Sequence, residues 1–164
     1  MSTTQRVCGI ECAKALAMRK RAIVEYRERR EAKKRAKTRA QWAKEAQMAF
    51  NRFIRMRDAH LPCISCGRHH AGQYHAGHYR STKAAPELRF DEVNTHKQCQ
   101  PCNSHLSGNV VAYRAGLIGR VGVEAVERLE GHHEPRKWAI DELKAIKEQY
   151  QAKAKELQRS LDVI

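Results

Sequence analysis

Two Cys-x-x-Cys pairs, Cys63-Ile-Ser-Cys66 and Cys99-Gln-Pro-Cys102, stand 32 residues apart in the chain. Each pair presents two thiolates from one tight turn, and two such turns complete the tetrahedron that Zn²⁺ prefers. A site made of four cysteines needs no histidine. Yet His69, His70, His75, His78 and His96 lie between the pairs, and His105 lies just beyond them. The cysteines therefore read as scaffold and some of the histidines as reactive groups. Phosphodiester hydrolysis is one chemistry such a set suits. A water must lose a proton, the phosphate charge must be neutralised, and the departing oxygen must be stabilised. Neutral imidazole near pH 7 is a suitable proton acceptor. His75 is a candidate ligand for a divalent ion such as Mg²⁺ or Mn²⁺ that keeps several waters. A regular strand would send positions 75 and 78 to opposite faces, so His75 is expected to join the metal only if Ala76-Gly77 form a bulge or turn.

Composition says what this chemistry would act on. Among 164 residues, Lys and Arg number 32 against 18 Asp and Glu, a formal net charge of +14. A polyanion, nucleic acid first, is the natural partner. Aromatic residues make up only 6%, too few for an interleaved stacking platform for single-stranded RNA. With 41% hydrophobic and 30% charged residues, one small core is expected. No apolar run approaches the ~20 residues of a membrane span and the N-terminus lacks a signal-peptide core, so a soluble, cytoplasmic protein is expected. In that reducing compartment the cysteine pairs favour metal over disulfides.

The elements that must position the site divide the chain into residues 1–39, 40–108 and 109–164. Cys8 and Cys12 form a looser pair, half of a metal site. They are a remnant of a second finger, a half completed across a dimer, or two ordinary thiols. From Ala13 to Arg39 the chain reads as one charged helix; Arg19 to Arg39 hold 11 basic and 3 acidic residues. Glu25 and Glu31 can pair with Arg29 and Arg35 one turn on. This segment reads as a phosphate-tracking arm that supplies salt-sensitive affinity without reading sequence. Thr38-x-x-Gln41 has the form of a capping box. It precedes Trp42, Ala46, Ala49, Phe53 and Met56, a stripe at helical spacing that must pack. Gln73 to Arg80 is a strand or hairpin arm, and a helix is expected to begin near Asn103. Val110 to Ile118 and Val123 to Glu130 read as two helices broken by Gly119 and Gly122. In the last segment Ile140, Leu143, Tyr150, Ala154, Leu157 and Leu161 form a face interrupted by Lys147. It either packs on the Trp42 helix or forms the seam of a homodimer.

Cys63-x-x-Cys66, Ala76-Gly-His-Tyr-Arg80, Asn94 and His96-Lys-Gln-Cys-Gln-Pro-Cys-Asn-Ser-His105, followed by Ser-Gly-Asn109, resemble the NinG (Rap) recombination endonucleases of lambdoid phages. The similarity runs from Trp42 to the C-terminus, and Cys8 and Cys12 resemble the latter half of a longer cysteine motif there. The resemblance implies an α+β, mainly helical fold with a treble-clef zinc core carrying an HNH, or ββα-metal, motif. It also implies cleavage of branched DNA such as Holliday junctions and displacement loops. It is similar as well to endonuclease VII resolvases, in which an Asn after the last zinc cysteine holds the catalytic metal, the place of Asn103. His78 then aligns with the catalytic base, and Asn94 would hold the loop and orient the His78 ring by a hydrogen bond. Many HNH sites carry Asp, Glu or His before the base, where this chain has Gly77. Arg80, Lys83, Arg89 and Lys97 are candidate clamps on DNA phosphates. His105 falls about 200° from Asn103 around a helix and is expected to touch phosphate or solvent. His69, His70 and His96 are expected to be exposed or structural. The rival reading is a zinc-containing DNA-binding module without catalysis, for which cysteines and charge would suffice.

Overall fold

The computed structural model describes residues 9–35 and 37–162. The chain divides into two units, Met1–Thr38 and Arg39–Ile164. In the first, α1 (Ile10–Arg35) buries no residue, as its sparse apolar positions require, and Ile23 and Val24 are exposed. Glu31 pairs with Lys34 at 2.7 Å, three residues on, in place of the expected Arg35. Cys12 is exposed on this helix, whereas Cys8 lies outside the described residues.

In the second unit, α2 (Arg39–Arg57) starts directly after Thr38. It buries the predicted Trp42, Ala46, Ala49 and Phe53, together with Phe50 and Ile54. Against it lies α5 (Ile140–Leu161), which buries Leu143, Tyr150 and Ala154 in the same cluster. Of the two roles open to the C-terminal helix, packing within the chain is the one observed for this face. Lys147, the polar break in the stripe, forms an ion pair with Glu45 of α2 at 2.8 Å. Ile140 and Leu161, at the two ends of the stripe, are exposed. Phe50 is the hub: its ring meets Tyr150 edge-on at 4.8 Å and Phe90 at 5.8 Å. Burial of a ring this size is worth about 1.5–3 kcal/mol.

Two strands, β1 (Tyr74–His78) and β2 (Thr95–Cys99), pair antiparallel from Tyr74↔Cys99 to His78↔Thr95. The register is unbroken, so the bulge considered at Ala76-Gly77 does not form. The connection between the strands, with a short 3₁₀ turn at Pro86–Leu88, packs with α3 (Val110–Val121) and α4 (Val123–Glu130) around Tyr79, Leu88, Tyr113 and Leu117. Gly119 does not interrupt α3; the break falls only at Gly122, whose φ of 85° suits glycine. The helix expected near Asn103 is a single wide turn, Pro101–His105, closed by a 2.9 Å bond from the Leu106 N–H to the Pro101 carbonyl. It gives way to positive φ at Ser107, Gly108 and Asn109 before α3 begins. The protein is thus mostly helical, with a small two-stranded sheet and a four-cysteine cluster.

Candidate functional site

The scaffold cysteines converge as their spacing requires. The Sγ atoms of Cys63, Cys66, Cys99 and Cys102 all lie within 4.8 Å of one another. Four soft thiolates in this grouping fit a tetrahedral Zn²⁺. The first turn is closed by the Gly67 N–H bonded to the Cys63 carbonyl at 2.9 Å, with Gly67 at φ 65°. Burial pushes the Cys63 thiol up, but backbone N–H groups of Cys66, Cys99 and Ser65 outweigh it and hold it at about 7. Polar neighbours also approach the sulfurs. His70 Nε2 lies 3.2 Å from Cys66 Sγ, and Asn109 Nδ2 lies 3.5 Å from Cys102 Sγ. His70 is therefore structural, as expected, and His69 is exposed.

A second centre forms beside the cluster. A cavity of about 440 Å³ is lined by His75, His78 and Asn103, with Arg55 and Asn51 of α2 and Ser81, Thr82 and Ser107 from the connections. The strand does send His75 and His78 to opposite faces. Both nevertheless line one cavity, together with residues of α2 and of the turn after β2. His75 reaches it without the expected bulge, and its Nε2 is buried with no hydrogen-bond partner among the described residues. An imidazole and an amide lining one cavity are residue types that can ligate a divalent ion. Among the described residues no carboxylate lines this cavity.

His78 is held from two sides. Its ring packs 6.1 Å from that of Phe50, and its Nε2 lies 3.0 Å from the Arg89 carbonyl oxygen. Burial lowers the pKa of His78, the carbonyl bond opposes it, and the positive Arg89 adds to the lowering, so the ring is neutral near pH 7. A carbonyl can only accept, so the Nε2 carries the proton and Nδ1 keeps its lone pair.

The hydrogen bond to the ring expected of Asn94 is thus made by Arg89 instead. Asn94 holds the loop. Fully buried, it accepts the Arg80 N–H at 2.8 Å and donates to the carbonyls of Arg80 and Leu88 at 3.0 and 3.1 Å. The same end of the hairpin is tied to α2 by Arg57. Its guanidinium bonds Asp58 at 2.7 Å and the Glu92 and Thr95 carbonyls at 3.0 Å. Burial would push the Asp58 carboxyl up, but His96, Arg57 and the Lys97 N–H hold it far below the usual carboxylate range. His96 is buried in this node, which fits its structural reading.

Gly77 has a local reason to be glycine. A Cβ there would stand 2.1 Å from Oε1 of Gln98, whose Nε2 is bonded to Ser65 and Gly108. A side chain at the position before His78 would have to displace the Gln98 amide.

The basic residues expected on DNA separate into two groups. Lys83 and His105 are exposed. Lys97 is not a surface clamp: it is 5% exposed, and its Nζ donates to the Ala59 carbonyl at 2.7 Å and stands over the Tyr74 ring. It sits on a strand whose five residues are all buried, so its charge turns inward. Arg80 braces the end of α4 through the Leu129 and Glu130 carbonyls, at 3.3 and 3.4 Å. Arg89 reaches Gln47 at 3.2 Å. Arg55 and Asn51 went unnoticed in the sequence. Their one signal is spacing, four residues apart on the polar side of the Trp42 helix.

Comparison with known proteins extends these observations. The family described as Bacteriophage Lambda NinG protein matches residues 1–160. Protein ninG of Escherichia phage lambda is 54% identical over 124 residues, 76% of this chain and 61% of its own. Those of Escherichia phage 933W and Salmonella phage P22 are each 53% identical over 124 residues, covering 62% and 61% of their lengths. The match thus spans less than two thirds of these relatives. No solved structure matches the chain, and no helix among the described residues is long and apolar enough to cross a membrane. Matched along nearly its whole length, the chain belongs to the phage NinG protein family.

Proposed function

We propose that this protein is a divalent-metal-dependent endodeoxyribonuclease that cuts branched recombination intermediates of phage DNA. The observation that carries the reading is one cavity lined by His78, whose Nε2 is committed to a carbonyl, by His75 and by Asn103. The treble-clef and HNH-type reading of the β1–β2 hairpin and the turn after it goes with this proposal. Branched DNA as substrate rests on the family resemblance, and the basic character of the chain supports DNA in general.

In this reading the Nδ1 of His78 accepts the proton of a water that attacks phosphorus as the P–O3′ bond breaks. Asn103 and His75 would hold the divalent ion, which supplies Lewis acidity at the phosphate and for the leaving oxygen. Imidazole nitrogen with amide oxygen, and no carboxylate, suits Mn²⁺ better than Mg²⁺, which prefers oxygen donors. Arg55 contributes positive charge at the wall where the phosphate would lie. Asn94 positions His78 through the loop that carries the Arg89 carbonyl. Residues 1–39 act as a basic arm, 40–108 as the nuclease core and 109–164 as its brace.

The test is incubation of a labelled four-way DNA junction and a matched linear duplex with Mn²⁺, Mg²⁺ or EDTA. Metal-dependent cutting that favours the junction is expected. Binding without cutting under any metal would overturn the enzyme and leave a zinc-containing DNA-binding module.

A further inference from the structure

Several cations of the folded unit are ion-paired. Arg57 and Arg120 face Asp58, Arg114 faces Glu130, Arg128 faces Asp91, Lys147 faces Glu45 and Lys153 faces Glu92. Four cations on neighbouring helical surfaces have no ion pair or hydrogen bond among the described residues: Arg52 and Arg55 on α2, Lys155 and Arg159 on α5. Arg52 and Arg55 are one turn apart and Lys155 and Arg159 are four residues apart, spacings that bring each pair onto one helix face.

These residues connect two hollows. Arg55 lines the cavity that holds His78. Arg52 lines a separate groove of about 390 Å³ between α2 and α5, with Lys155 and Arg159 on its other wall and Gln151 and Gln158 beside them. Among the described residues no carboxylate lines this groove, and Asp162 accepts from the Gln158 amide at 3.0 Å. Three cations and two amides around an open groove offer donors and no acceptor charge, which suits phosphate oxygens and rejects acidic protein surface. α2 is thus a ridge with the candidate active cavity on one flank and a cationic groove on the other, bridged by Arg52 and Arg55 one turn apart.

We infer that the α2/α5 groove is a second DNA-backbone site, holding phosphates that flank the one at His78. This deepens the proposed function and rests on it. The groove adds affinity and sets the direction in which the strand leaves the cavity. It does not take part in bond cleavage. Because it holds phosphates alone, it reads no sequence.

The experiment compares the full chain with the triple variant Arg52→Gln/Lys155→Gln/Arg159→Gln and with the charge-preserving triple Arg52→Lys/Lys155→Arg/Arg159→Lys. The probes are a labelled short duplex and a four-way junction, with Kd measured across a salt series and cleavage measured as kcat and KM. All three side chains are exposed, so the core is not altered. Neutralising three phosphate-binding cations should make the slope of log K against log salt shallower by about 2.7, roughly 0.9 per charge. The effect should fall on KM, which rises by about 10² at ~0.15 M salt and more at lower salt, rather than on kcat. The charge-preserving triple should keep the wild-type slope.

A neutralised triple that binds with the wild-type slope, while the wild type cuts DNA normally, overturns the groove and leaves the nuclease standing. A slope that falls equally in the charge-preserving triple also overturns it, since charge would not be the cause. A wild type that neither binds nor cuts DNA overturns the proposed function and the groove with it.

Discussion

The Nε2 of His78 lies 3.0 Å from the carbonyl oxygen of Arg89, eleven residues further along the chain. That one bond fixes the tautomer and turns Nδ1 into the free base. Burial lowers the pKa of His78, which favours the neutral ring that the proposed reaction needs. Cleavage should lose rate only as pH falls through a value below 6.5, the ordinary histidine value. The pH dependence of kcat/KM measures this, and an acid limb centred above 6.5 would contradict the assignment.

Asn94 is the support of that arrangement. Asn94→Ala would leave the Arg80 N–H and the Arg80 and Leu88 carbonyls without their buried partner. A loss on the order of 3 kcal/mol is expected, with a fall in cleavage rate because the same loop carries the Arg89 carbonyl. Denaturant unfolding checks the first part. A variant as stable as the wild type would show that the loop is held by something else.

Two glycines of α3 make opposite forecasts. A Cβ at Gly116 would stand 2.0 Å from the Ile64 carbonyl oxygen, part of the first cysteine turn, whereas at Gly119 it would meet nothing within 4 Å. Gly116→Ala should destabilise by about 1–3 kcal/mol through overpacking. Gly119→Ala, inside a helix, should stabilise by roughly 0.5–1 kcal/mol. Thermal melts of the two variants decide, and the same sign for both would be inconsistent with the packing described.

The four-cysteine cluster should hold one Zn²⁺ per chain. Its removal by a strong chelator, or Cys102→Ala, should cost far more than an ordinary core substitution, because structural zinc contributes on the order of 10 kcal/mol to such folds. Metal content and near-ultraviolet circular dichroism, followed together during chelation, should change in parallel. Zinc loss with no change in tertiary signal would remove the scaffold role.

Much of this was legible because it is local. The spacing of Cys63, Cys66, Cys99 and Cys102 requires only two tight turns, and the Trp42 to Phe53 stripe requires only helical periodicity. What was not legible depends on three-dimensional neighbours. Lys97 looks like a surface charge in Thr-His-Lys-Gln-Cys, but the strand is buried along its whole length between α2 and the cysteine turns. His75 and His78 differ by an odd number of strand positions, yet both line one cavity together with residues of α2 and of the turn after β2, which strand alternation does not reveal. Arg55 belongs to the site because α2 packs against β1, which is a matter of tertiary packing. Gly119 reads as a break by type, but α3 has enough packing on either side of it to continue.

The most direct measurement is a parallel assay of cleavage and binding on a four-way DNA junction by the wild type and by His78→Ala, in Mn²⁺. The expected result is junction binding within a few-fold of wild type, with cleavage reduced by about 10² to 10⁴. A His78→Ala variant that cuts at the wild-type rate would contradict the central claim that this imidazole is the base.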